Sequence, residues 1–150
     1  MEQIGQVLAI AVRTARNGPM RETPEAAAVA GAGLEGDLAP APDRGVTIIS
    51  SQQWEETKAA LTAELPWHTR RANVLVDVAR LAPLIGATIR VGDALIEIRG
   101  ETRPCGLMDE LHAGLKAALK PECRGGVHGY VRQGGRIGVG DALYRVADKD

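Results

Sequence analysis

Two seven-residue stretches of this chain are almost the same. Ile89-Arg90-Val91-Gly92-Asp93-Ala94-Leu95 recurs as Ile137-Gly138-Val139-Gly140-Asp141-Ala142-Leu143, with six of seven residues identical, 48 positions apart. Each copy is an apolar run, a Gly-Asp pair and a second apolar run. That is strand–turn–strand patterning, with glycine supplying a backbone shape that a Cβ forbids. One short echo is not a solenoid array. It predicts two equivalent sheet corners.

The rest of the chain is punctuated in the same way. Gln6 to Arg13 reads as a strand, ended by the turn chemistry of Asn17-Gly18-Pro19. Residues 20–45 read mostly as loop, with a short strand around Ala26 to Ala30. That loop holds Gly33-Leu34-Glu35-Gly36-Asp37, then Pro40, Pro42 and Gly45. Val46 to Ile49 reads as a buried strand. Ser50 stands three residues before Gln53, the spacing of a capping box, so a helix starts there and runs to Pro66. Ala72 to Val78 alternates as a strand does. Ile89 to Val91 and Leu95 to Ile98 make a hairpin. Met108 to Lys120 carries apolar residues at helical spacing, acids near its start and lysines near its end. Val127 to Arg132, Ile137 to Val139 and Leu143 to Val146 are the last strands. The pattern is mainly β: a closed or nearly closed barrel with short flanking helices, one domain over residues 1–150.

Composition removes several functions. With 45% hydrophobic and 25% charged residues, 150 residues suffice for one real core without disulfides. A net charge of −1 argues against phosphate neutralisation on nucleic acid. Four aromatic residues are too few to stack single-stranded bases. No apolar run reaches the roughly 20 residues of a membrane span. Met1 to Asn17 lacks signal-peptide character, so the expected setting is cytoplasmic. Arginine outnumbers lysine 14 to 4, which fits either a GC-rich genome or a need for guanidinium forks on oxyanions.

Cys105 is the most informative residue. It lies in Glu101-Thr102-Arg103-Pro104-Cys105-Gly106, between a strand and a helix and beside an arginine, a setting that favours the thiolate. Thiolate is the form that acts as nucleophile or soft-metal ligand. The alternative is a buried structural cysteine. Cys123 follows 18 residues later, too far for a CxxC motif, and is either a resolving thiol or incidental. Of His68, His112 and His128, His128 is the best candidate for a second role. Arg70-Arg71-Ala72-Asn73 enters a strand, either to recognise phosphate or a heterocycle or as a solvated charged corner. Arg44 and Arg124 carry the same two readings. The three Gly-Asp pairs read as turns. No phosphate-loop or dinucleotide signature occurs.

Together these segments resemble the MOSC family, the domain named for the C-terminal part of molybdenum cofactor sulfurases. The resemblance rests on Gly33 to Asp37, Arg44 and Val46-Thr47, and Arg71-Ala72-Asn73. It continues through Ile85-Gly86, Val91-Gly92-Asp93, Arg103-Pro104-Cys105, and Gly126 through Gly140-Asp141. It implies a MOSC-type β-barrel that binds the molybdenum cofactor (molybdopterin), with the metal at the barrel mouth. Carried over by motif position, Cys105 is the metal ligand and catalytic residue. Arg71, Asn73, Arg103 and Arg44 are cofactor contacts. Relatives of this kind reduce N-hydroxylated compounds, and the family is also proposed to carry sulfur as a cysteine persulfide. The implied partners are a small-molecule substrate and a separate electron donor or cysteine desulfurase. Many relatives carry a glutamate where Ala72 stands.

Overall fold

Strands form along the short apolar runs, and their pairing closes a ring. We describe a computed structural model of the chain over residues 1–38 and 41–147. In chain order, β1 (Glu2–Arg13), β2 (Met20–Thr23) and β3 (Glu25–Ala28) precede β4 (Val46–Ser50) and α1 (Ser51–Leu61). Then come β5 (Val74–Val76), β6 (Thr88–Val91), β7 (Ala94–Glu101), α2 (Gly106–Leu111) and α3 (Leu115–Leu119). β8 (Val127–Gln133), β9 (Gly135–Gly138) and β10 (Ala142–Arg145) follow. Pro40 of the glycine-rich loop and residues 148–150 lie outside the described residues.

The sheet runs β10-β6-β7-β8-β4-β5-β1, and β1 returns to pair with β10, which closes a seven-stranded barrel. β1 is long enough to do both jobs. Its first half pairs with β10, from Glu2↔Arg145 to Gln6↔Ala142, and its second half with β5 and β2. β2 stays outside the ring, and β3 and β9 form a separate ribbon. Alternation along each strand fills the interior. Val46, Ile48, Val74, Val76, Ile96 and Ile98 belong to one buried cluster. Thr47 and Ile49 therefore face outward from β4. Ile49 packs there with Trp54, Ala72, Met108, Leu115 and Leu119, so the helices cover one outer wall.

The structure corrects several expected boundaries. The echo marks two strand–turn–strand corners, as expected, but they are not equivalent in pairing. β6 and β7 pair across their Gly-Asp turn, but β9 pairs with β3 while β10 pairs with β1 and β6. What the copies share is the turn, with Gly92 and Gly140 at φ 57° and 92°. The second corner is docked on β1 through Gly140 N–H to Val7 O, 2.8 Å. α1 starts as expected, with Ser50 Oγ accepting from Gln53 N–H at 3.2 Å. It stops at Leu61 rather than Pro66, because Thr62 turns left-handed and its N–H closes onto Ala59 and Lys58 carbonyls. The single helix expected over Met108 to Lys120 is two. Gly114, at φ 87°, breaks it, and Asp109 Oδ1 accepts from Lys116 N–H at 3.0 Å across the break. Met108, Leu115 and Leu119 still reach one cluster, so the apolar spacing survived the break. β5 is shorter than expected, and β2 was not foreseen.

Candidate functional site

The chain reverses sharply before β5. A 3-10 turn over Trp67–Arg70 ends at Arg71, whose left-handed backbone (φ 65°) redirects the chain into the strand. The reversal sets Arg70 and Arg71 in the wall of one cleft, where they meet Cys105. The cleft holds about 150 Å³ and is also lined by Arg13, Thr47, Thr102 and Met108. It lies on the outer wall of the barrel under α2, since Thr47 faces outward.

Arg70 is 6% exposed. Its Nε donates to Gly125 O at 3.0 Å and its Nη2 to Thr102 O at 2.9 Å, and its Nη1 approaches Met108 Sδ at 3.6 Å. Burial pushes this guanidinium down to about 10, opposed by the charge on Cys105 and helped by Arg13. It remains a cation at neutral pH. Gly126 shapes the loop that receives it: its φ is 94°, and a Cβ there would lie 2.2 Å from Ile48 O. Arg71 donates to Gly18 O and, at 3.4 Å, to Ala15 O. Partial burial, then the charge on Arg13, lowers its pKa, and Asp37 opposes them. Among the described residues no carboxylate pairs with Arg70 or Arg71. Arg13 differs: its Nη2 meets the buried Asp37 carboxylate at 2.7 Å.

The candidates named from sequence divide. Cys105 is exposed and shares the cleft with Arg71. Asn73 is fully buried behind the wall. Its Oδ1 accepts from Thr47 N–H at 3.0 Å and Thr47 Oγ1 at 3.1 Å, and its Nδ2 donates to Ala11 O at 3.1 Å. It shapes the wall without lining it. Arg103 is exposed two residues before Cys105 and does not line the cleft. Arg44 is exposed at the end of the 3-10 turn Pro42–Arg44, away from the lining residues. Its charge acts on His128, whose pKa is lowered by burial first and by Arg44 second. His128 Nδ1 lies 3.4 Å from Thr102 Oγ1, one side chain behind the cleft. Cys123 is buried, and its thiol points to Gly126 O at 3.4 Å. Burial pushes that thiol up to about 11, with the Glu101 charge adding to it.

Arg13 stood in no motif, and Thr47 and Thr102 stood in motifs without being read as site residues, because each reaches the cleft only through strand pairing. Arg70 was visible as the neighbour of Arg71, but its burial was not.

A model of the MOSC domain family matches residues 35–144. Solved structures share the fold at low identity. The YuaD protein of Bacillus subtilis superposes with a TM-score of 0.80 at 18% identity, covering 93% of each chain. YiiM of Escherichia coli gives 0.76 at 16% identity, covering 96% of this chain and 71% of that one. YiiM of Geobacillus stearothermophilus gives 0.74 at 15%, covering 95% and 75%. No curated protein sequence matches significantly. With the family pattern spanning most of the chain and the barrel shared with these structures, the chain belongs to the MOSC domain family.

Proposed function

We propose that this protein binds the molybdenum cofactor, with Cys105 as the metal's protein ligand, and reduces N-hydroxylated compounds. The observation that carries the reading is one exposed thiol sharing a cleft with three guanidiniums. Among the described residues no three His, Cys, Asp or Glu side chains gather to hold a bare metal ion. A single soft thiolate suits a metal that arrives chelated by its own cofactor. Guanidinium forks suit the phosphate such a cofactor carries. When bound, the group supplies two-electron oxygen-atom chemistry.

The chain's own residues then bind and orient. Arg71 and Arg13 also line an adjoining hollow of about 400 Å³, so a ligand larger than the cleft runs out past them. Arg103 and Arg44 stand outside it, where exposed guanidiniums meet an anionic ligand that extends beyond the lining. Asn73 acts through Thr47. Leu107 and Met108 shield one side from water. His128, a weak base behind Thr102, exchanges protons next to the reaction space. The partners in this reading are a small-molecule substrate and a separate electron donor, in the cytoplasm. No helix among the described residues is long and apolar enough to cross a membrane.

A sulfur carrier is the second reading, favoured by the exposure of Cys105 while Cys123 is buried. A persulfide on Cys105, received from a cysteine desulfurase, would then have no resolving thiol beside it.

Metal analysis separates the two. Protein and its Cys105→Ala variant are purified from a host that makes the cofactor, and molybdenum and released pterin are measured per chain. Near-stoichiometric metal that disappears in the variant, with reduction of hydroxylamines by an artificial donor, is the expected result. Absence of molybdenum from both proteins overturns the first reading and leaves sulfur transfer.

A further inference from the structure

We propose that the cleft is a sulfurtransferase site for a small dianionic sulfane-sulfur donor of the thiosulfate type, with Cys105 as acceptor and Arg70 and Arg71 as the charges that bring the two anions together. This rests on the sulfur-carrier reading and names the donor class it uses.

Three observations converge. The first is charge. Arg70 is more than nine-tenths buried, lines the cleft and has only backbone carbonyls and a thioether as partners. Arg71 likewise donates only to carbonyls, and the Asp37 carboxylate that acts on it is already paired with Arg13, so three guanidiniums in one wall outnumber the carboxylate beside them. A buried charge is costly unless something compensates it, and one dianion compensates the excess. The second is size: about 150 Å³ suits a small oxyanion. The third is the character of the lining. Arg13, Arg70 and Arg71 give it a charged part, while Ala72, Leu107 and Met108 give it an apolar part with Cys105 in the same lining. That division matches an anion with an oxygen end and a soft sulfur end, and it suits phosphate or sulfate less well.

The loading step balances without another reagent. The Cys105 thiolate attacks the terminal sulfur of thiosulfate. The new S–S bond forms on Cys105 as the donor's own S–S bond breaks, and the electron pair leaves on sulfite. A thiolate and a dianion become a persulfide anion and a dianion, so charge is conserved. Cyanide or an acceptor thiolate then takes the outer sulfur and restores the thiolate. Anion attack on a dianion is opposed by repulsion, which the excess guanidinium charge in the wall offsets.

The test uses the full chain without cofactor. Thiosulfate is added, sulfite release is followed, and intact mass is read for one added sulfur. One sulfur on Cys105 with one sulfite released is the expected result, and Cys105→Ala abolishes both. Arg71→Met lowers the thiosulfate rate by roughly tenfold, a larger drop than in alkylation of Cys105 by neutral iodoacetamide, so the ratio of the two rates separates anion recruitment from thiolate reactivity. Arg71 is partly exposed, so this variant is informative even if Arg70→Met does not fold. Equal thiosulfate rates in wild type and Arg71→Met overturn the charge argument. If a cysteine desulfurase with cysteine loads Cys105 and thiosulfate does not, the donor class is wrong and the sulfur-carrier reading stands. If neither loads it, both fall. Equal thermal stabilisation by sulfate and thiosulfate without sulfur transfer identifies an inert oxyanion site and also overturns the proposal.

Discussion

Asn73 ties β1, β4 and the entry to β5 with one amide. Its oxygen takes the Thr47 N–H and hydroxyl, and its NH₂ reaches Ala11 O on β1. Asn73→Ala leaves the Thr47 amide and the Ala11 carbonyl buried without those partners. At about 1–3 kcal/mol for each unsatisfied group, a loss of roughly 2–6 kcal/mol is expected in urea unfolding. A variant as stable as wild type would contradict this bracing role. The Arg71-Ala72-Asn73 motif was legible, but its division of labour was not. Neighbouring side chains on a strand point to opposite faces, and the irregular entry to β5 decides which reaches the cleft. Cys123 offers a second test. Its thiol is held up at about 11 in the fold, against an ordinary value of 9.0. Above pH 9 the unfolded chain sheds this proton while the folded chain keeps it. The stability it contributes is therefore full below about pH 9 and is lost as pH rises towards 11. In Cys123→Ser that contribution is gone. The stability difference between wild type and variant should shrink or reverse between pH 9 and 11, and a pH-independent difference would refute it.

At the scale of elements, helix starts were more legible than helix ends. Ser50 caps α1 through a bond that its spacing to Gln53 announces, 3.2 Å long in the fold. Ser50→Ala should cost about 1 kcal/mol in thermal or urea unfolding, with the cleft intact. A loss within error would mean that strand β4, not the cap, fixes the start of α1. Helix ends depend on single backbone angles that no periodicity encodes. Thr62 and Gly114 end or break helices by turning left-handed, and only the glycine is of a type that signals it. The break matters for the site. It leaves α2 six residues long, with Leu107 and Met108 closing one side of the cleft and little of its own hydrogen bonding to hold it there.

At the scale of the molecule, the barrel was legible because alternation and Gly-Asp corners are local signals. Its closure was expected from that pattern, but the strand order that achieves it was not, because pairing of the two ends of the chain is a long-range event. The first residues of β1 lie against the last strand. The same separation hid the cleft, whose walls come from β1, β4, the turn before β5, the end of β7 and α2. These walls differ in stability. β4 and β5 are central to the ring, with buried residues on both faces of β4. α2 rests on the outer wall through Met108 and a few short-range bonds, such as Met108 N–H to Cys105 O at 3.0 Å. Local opening follows the least-anchored elements, so α2 should open without the ring. Hydrogen exchange read by NMR should show α2 amides exchanging by sub-global opening, while amides of β4 and β5 exchange only with global unfolding. An anion that fills the cleft should slow α2 selectively, since Leu107, Met108 and Cys105 line it together. If α2 and β4 exchange at the same rate with and without such a ligand, the cleft is a fixed slot and a larger cofactor cannot enter by moving α2. If α2 alone responds, that helix is the movable side through which a bulky ligand reaches Cys105.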